Sequence, residues 1–183
     1  MSKTVWKGGA FEYPIPAALV TCGTMEEANV MTVAWTGIVN TKPPMVYVSI
    51  RPERHSYNII KKNMEFAINL TNEKLVYATD WCGVKSGSKV DKFKEMKLTK
   101  EKANFIKCPI IKECPVALEC KVVEIKKLGS HTMFLAEVLS IDPDEKYINE
   151  KGEFDISKCN LIAYANGGYY ALGKKLGTFR ILS

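Results

Sequence analysis

Five side chains able to bind an anion crowd into nine positions where an extended run gives way to a helical one: Ser49, Arg51, Arg54, Ser56 and Tyr57. Such a set suits a phosphate monoester, because guanidinium forks, hydroxyls and the free N–H groups of a helix's first turn all bind its oxygens. The same residues also suit a plain polar turn ahead of a surface helix. A second stretch, Asn29-Val30-Met31-Thr32-Val33-Ala34-Trp35-Thr36, reads as a strand with Val30, Thr32 and Ala34 on one face and Met31, Val33 and Trp35 on the other. Small residues on the first face would let a flat aromatic ligand approach the backbone, with Asn29 and Thr32 bonding its heteroatoms. The competing reading is a strand buried on both sides.

Other familiar chemistry is missing from the chain. No strand leads into Gly-x-Gly-x-x-Gly, and Gly173-Lys174-Lys175-Leu176-Gly177 lacks the spacing of a phosphate loop. Neither Gly-x-Ser-x-Gly nor His-Glu-x-x-His occurs. Only His55 and His131 are available as imidazoles, and the six cysteines contain no Cys-x-x-Cys pair, so no metal site is expected and a thiol-based redox protein is disfavoured. Cys108, Cys114 and Cys120 are six apart, an even spacing that on extended chain turns small buried residues to one side.

The elements that must position these groups are mostly strands. Runs rich in Val, Ile, Thr and aromatics occur at 17–22, 30–35, 45–50, 66–70, 116–125 and 132–141, separated by Gly, Pro and Asn. No long apolar helix separates consecutive runs as repeated βαβ units require, so the strands are expected to be mainly antiparallel. One short helix is expected from near Pro52 to Asn63, and a second from Thr71 or Asn72 to Cys82. The polar run 84–93 reads as a loop entering a short helix, and Gly167, Gly168, Gly173 and Gly177 as turns in a C-terminal arm.

The chain has 183 residues, 46% hydrophobic and 25% charged, within the range of one globular domain spanning 1–183. No apolar run approaches the roughly 20 residues that cross a bilayer, and the start Met-Ser-Lys-Thr-Val-Trp-Lys lacks a signal's apolar stretch, so a cytoplasmic protein without membrane attachment is expected. Twenty-six Lys and Arg against twenty Asp and Glu leave a net charge of +6, which points to an anionic partner without naming it. A basic β-barrel binding nucleic acid is the competing class. It is disfavoured because lysines and aromatics are not interleaved along one strand face.

Taken in order, these segments resemble the flavin reductase-like, FMN-binding split-barrel family, most closely its flavoredoxin branch. The matching segments are Pro14 to Cys22, Asn29 to Trp35, Ser49-Ile50-Arg51-Pro52 to Ser56-Tyr57, Ser86-Gly87 to Asp91-Lys92-Phe93, Gly129-Ser130-His131 and Tyr164 to Leu172. The resemblance implies an antiparallel, Greek-key-like split β-barrel with a few short peripheral helices. It also implies a homodimer holding FMN near the subunit interface. By the same resemblance Asn29, Val30, Met31, Thr32, Ala34 and Trp35 should line the isoalloxazine, while Ser49, Ile50, Arg51, Ser56 and Tyr57 surround the ribityl chain and phosphate. Lys92 is implied as a further phosphate ligand, within a subunit or across the dimer, and Ser86, Phe93 and Tyr164 as further cofactor-binding residues. His131 is implied near the reactive ring or the nicotinamide path. Ser130 stands where the family more often has Asp, Ser56 where Thr is common, and Tyr164 where Phe is common. Without that carboxylate His131 is read either as a proton donor or as an oriented polar residue shaping the pocket. The implied activity is transfer of electrons or hydride from NAD(P)H or a reduced redox protein to an acceptor.

Overall fold

The computed structural model describes residues 2–179. In chain order the regular elements are β1 (Ile15–Pro16), β2 (Ala18–Cys22), β3 (Asn29–Val33), β4 (Thr36–Thr41), β5 (Pro44–Ile50), α1 (His55–Asn63), β6 (Glu65–Leu70), α2 (Val76–Val84), α3 (Lys92–Glu95), β7 (Lys100–Glu101), β8 (Ile110–Ile111), β9 (Val116–Lys127), β10 (Thr132–Pro143), β11 (Ile162–Ala165) and β12 (Gly168–Ala171). Seven strands form one antiparallel sheet in the order β3-β2-β6-β9-β10-β5-β4.

The two edge strands of that sheet, β3 and β4, are joined by Ala34 and Trp35 alone. From Val33 to Thr36 is three Cα steps, a reach of roughly 11 Å at most. The sheet must therefore curl to bring its edges together, and at the crossover the Ser49 N–H of β5 donates to the Trp35 carbonyl at 2.8 Å. β4 begins at Thr36 opposite Val48, so Ser49 and Ile50 of β5 run on without a β4 partner. There the barrel is split, with β3 on one side of the seam and the end of β5 on the other.

Inside the barrel Val20, Met31, Val48, Ile50, Phe66 and Phe134 pack with Tyr57 and Ile60 of α1, which plugs one end. Outside it, Leu19 and Val30 pack against Leu75, Ala78 and Cys82 at α2 and Phe93 of α3. A third cluster seats Ala103, Ile106 and Cys108 on Ala67 and Ala117. That loop is tied down by Glu119, fully buried on β9, whose carboxylate accepts from the backbone N–H groups of Asn104 (2.7 Å), Phe105 (2.6 Å) and Ile106 (3.1 Å).

Several expectations are corrected. The first helix begins at His55 because residues 51–54 close a turn, with the Arg54 N–H on the Arg51 carbonyl at 3.0 Å; Pro52 lies in that turn, outside the helix. Asn72 caps a single 3₁₀ turn through Lys74 N–H, and α2 starts only at Val76. The run 30–35 stops being a strand at Val33, so Trp35 is not on a face with Met31 and Val33. β4 was unforeseen, and so was the hairpin of β11 and β12, which turns on Asn166 and Gly167 at positive φ. Cys108, Cys114 and Cys120 do not share a face: they sit in three different clusters, the first two in loops.

Removing the buried carboxylate should loosen one loop before the barrel. Glu119→Ala is expected to cost about 2–4 kcal/mol, since the N–H groups it bonds lose a charged acceptor. A urea titration would read that loss, and amide hydrogen exchange should show Phe105 and Ile106 exposed first.

Candidate functional site

A cavity of about 300 Å³ opens along the seam. One wall is the unpaired edge of β3 from Met31 to Val33, continued by Ala34 and Trp35; the other is Ser49, Ile50 and Arg51. An edge strand carries a row of backbone N–H and C=O groups without strand partners, which a flat heterocycle with donors and acceptors on its rim can satisfy. Because the cavity meets the strand at its edge, residues from both faces line it, and the expected division between a small-residue face and a large one does not apply.

Aromatic groups gather at one end. Trp35, 39% exposed, lies parallel to His131 with ring centroids 6.3 Å apart and 4° between planes. Tyr164 and Tyr169 of the C-terminal hairpin add two further rings, their centroids 5.7 Å apart. Asp80 of α2 accepts from the Tyr169 hydroxyl at 3.3 Å, and burial together with that carboxylate pushes the phenol up to about 12. His131 sits just past the Thr132–Ile50 pairing of β10 with β5, its Nδ1 2.9 Å from the Ser130 hydroxyl. Partial burial and then the Arg51 charge hold its imidazole below the usual range, which favours a neutral ring at pH 7.

Cations gather at the other end, where a second cavity of about 340 Å³ shares Met31, Arg51, Arg54 and Gly83 with the first. Arg51, Arg54, Lys85 and Lys92 line it together with Asn29, Ser56, Ser86 and Glu53, whose carboxylate lies 3.6 Å from the Arg51 guanidinium. Asn29 and Ser56 are buried, and the Asn29 amide donates to the Ser56 hydroxyl at 2.6 Å. Lys92 Nζ donates to the Cys82 carbonyl at 2.7 Å and Arg54 donates to Gly83 at 3.1 Å, so two cations complete the C-terminal turn of α2. Among the described residues Lys92 forms no ion pair with a carboxylate, although its side chain is buried; burial holds its ammonium below the usual lysine range. Gly87 is required here by space: a Cβ on it would lie 1.9 Å from the Asn29 side-chain oxygen, so the loop after α2 presses on the floor of the site.

Of the residues expected from the sequence, Asn29, Met31, Thr32, Ala34, Trp35, Ser49, Ile50, Arg51, Ser56, Ser86, Lys92, His131 and Tyr164 line one or both cavities. Val30, Tyr57 and Phe93 do not: Val30 and Phe93 are buried between the barrel and α2, and Tyr57 packs edge-on against Phe134 at 5.5 Å. Thr32 lines the cavity while its hydroxyl is already engaged, donating to the Thr79 carbonyl of α2. Arg54 was visible as part of the polar junction but was not expected among the binding residues; Gly83 and Tyr169 carried no sequence signal, since only the α2–β3 contact and the hairpin bring them in. The six thiols are all buried and free, and desolvation raises each of them, Cys22 and Cys82 to about 11, so none is poised as a thiolate nucleophile.

Comparison with known proteins places this arrangement. The fold is similar to flavoredoxin of Desulfovibrio vulgaris (Miyazaki F), with a TM-score of 0.90 and 29% identity over 98% of each chain. It is similar to flavoredoxin from Methanosarcina acetivorans at a TM-score of 0.88 and 30% identity, covering 98% of this chain and 96% of that one. A solved structure from Shewanella frigidimarina described as having a split barrel domain shares the fold at a TM-score of 0.80 and 21% identity, covering 91% and 85%. Residues 10–173 match the flavin reductase like domain, and the chain belongs to that family.

Proposed function

We propose that the protein is an FMN-binding flavoprotein of the flavoredoxin type, passing electrons or hydride from NAD(P)H or a reduced redox protein to an acceptor. The observation that carries this reading is the buried Lys92, an ammonium with a backbone carbonyl but, among the described residues, no carboxylate partner, at the far end of an aromatic-walled slot. A buried cation without a counter-ion is costly, and a phosphate arriving beside it removes that cost. The residues present fit the cofactor: a flat ring against the β3 edge, a polyol past Asn29 and Ser56, and a phosphate among Arg51, Arg54, Lys85 and Lys92. These cations converge on a cavity instead of lining a strand face, which favours a small anion over a nucleic acid strand.

FMN, when bound, supplies the hydride and electron chemistry. The chain's own residues bind and orient. Backbone groups of β3 fix the ring's rim, Trp35 and His131 bound its end, and neutral His131 offers one N–H donor and one acceptor nitrogen. We read the protein as a homodimer with the site near the interface. Support comes from apolar residues displayed on edge strand β4, Ile38 and Val39. Six free thiols fit a reducing, cytoplasmic setting.

Three outcomes check the reading. Purified protein, given excess FMN and then gel-filtered, should carry a visible flavin band that denaturation releases as FMN; colourless protein that retains none would overturn it. Lys92→Met, which keeps the buried stem and removes the charge, should weaken FMN binding by roughly 10- to 100-fold, from about 1.5–3 kcal/mol for a charge-assisted bond. The ring protons of His131 should titrate below the usual 6.5. Arg51→Ala should move that midpoint upward part of the way, because burial is the larger cause and remains.

A further inference from the structure

On the far side of the Ala34–Trp35 crossover lies a separate cavity of about 430 Å³. Ala10, Phe11, Tyr13, Ile15, Trp35 and Tyr47 wall it, and Glu12 is the one charged residue among its lining. Ala34 and Trp35 border both this space and the seam cavity, so a partition of two residues separates them.

The outer wall is an arm of unusual construction. Residues 2–14 form no helix or strand; regular pairing begins only at Ile15, opposite Tyr164. Of its edge-to-face ring contacts, Trp6 on Phe11 at 6.4 Å and Phe11 on Tyr13 at 5.5 Å lie within the arm, and Tyr13 on Tyr164 at 6.0 Å ties it to the C-terminal hairpin. Each such contact is weak and none draws on a backbone ladder, so the arm can lift without disturbing the barrel.

We propose that this cavity is a second ligand site, for a neutral planar aromatic molecule such as a quinone, admitted by movement of the arm. Its size is that of a small-molecule pocket, and Phe11, Tyr13, Trp35 and Tyr47 make its lining largely aromatic. Its charge selects against anions: Glu12 stands there and no lysine or arginine lines it, so a pyrophosphate-bearing nucleotide is disfavoured where a neutral ring is not. The contrast with the four cations of the phosphate end divides the two cavities by ligand charge. With FMN bound in the seam, its reduced form would supply the two electrons that convert a quinone held there to the hydroquinone, and the two protons would come from the reduced flavin and solvent water. That step rests on the flavin reading, whereas the binding site does not.

Equilibrium dialysis of the purified protein against naphthoquinone and against its ring sulfonate tests this directly. The probe should survive, because all six thiols are buried. Saturable retention of the neutral quinone is expected, with the sulfonate bound at least about tenfold more weakly. Ala10→Trp fills the cavity from an exposed arm position and should lower quinone retention by about tenfold or more; Glu12→Lys should narrow the gap between the two probes. Absence of saturable quinone binding overturns the proposal, as does binding that Ala10→Trp leaves unchanged. Quinone binding by protein that never retains FMN would refute the flavin reading alone, and FMN retention without quinone binding would refute this one alone.

Discussion

The chain passes from one edge of its sheet to the other in two residues, and that shortness organises everything around it. Ala34 and Trp35 cannot span more than roughly 11 Å, about two strand spacings, so β3 and β4 must come close, the sheet must curl, and β5 overshoots β4 by Ser49 and Ile50. Closure at one end and overshoot at the other leave a seam where β3 has no strand partner. A slot bordered by backbone donors and acceptors follows from the topology before any side chain is chosen. The same crossover places Trp35 beside His131, giving the slot its aromatic end.

Electrostatics then gives the slot a direction. Lys92 and Arg54 finish the last turn of α2, where carbonyls without helical partners favour positive charge. The polar residues nearby, Asn29 and Ser56, are bonded to each other, so Lys92 is a buried cation at a cavity wall. On the proposed reading an anion completes this end. Opposite it, Tyr169 is held by Asp80 and His131 by Ser130, both neutral at pH 7, so the aromatic end offers hydrogen bonds without charge. A ligand with a neutral ring and an anionic tail satisfies both ends.

What the sequence disclosed depended on whether a residue's role was local. The strands with alternating or continuous apolar runs, such as 45–50 and 132–141, announced themselves because burial leaves a period of two. β4 did not, since Thr36-Gly37-Ile38-Val39-Asn40-Thr41 is mostly exposed and held by pairing with β5 alone. The polar junction at 49–57 showed its chemistry in composition. Tyr57, one residue from buried Ser56, lies on a different side of α1 and packs into the barrel. Val30 and Phe93 share a segment with cavity-lining residues but pack in the core between barrel and helices. Tyr169 and Gly83 were invisible because their place is set by the hairpin and by α2 packing on β3, contacts between segments far apart in the chain. The even spacing of Cys108, Cys114 and Cys120 meant nothing, since parity orders faces only within one strand.

The central claim is that the buried cationic end recognises the phosphate of a flavin whose ring lies along the β3 edge. The most direct test compares binding of FMN with that of riboflavin, which shares the ring and polyol and lacks the phosphate, by fluorescence titration at fixed ionic strength. FMN should bind at least about a hundredfold more tightly, the equivalent of one or two charge-assisted bonds. Equal affinity for the two would contradict the account, because Lys92 and its neighbouring arginines would then be serving some other anion.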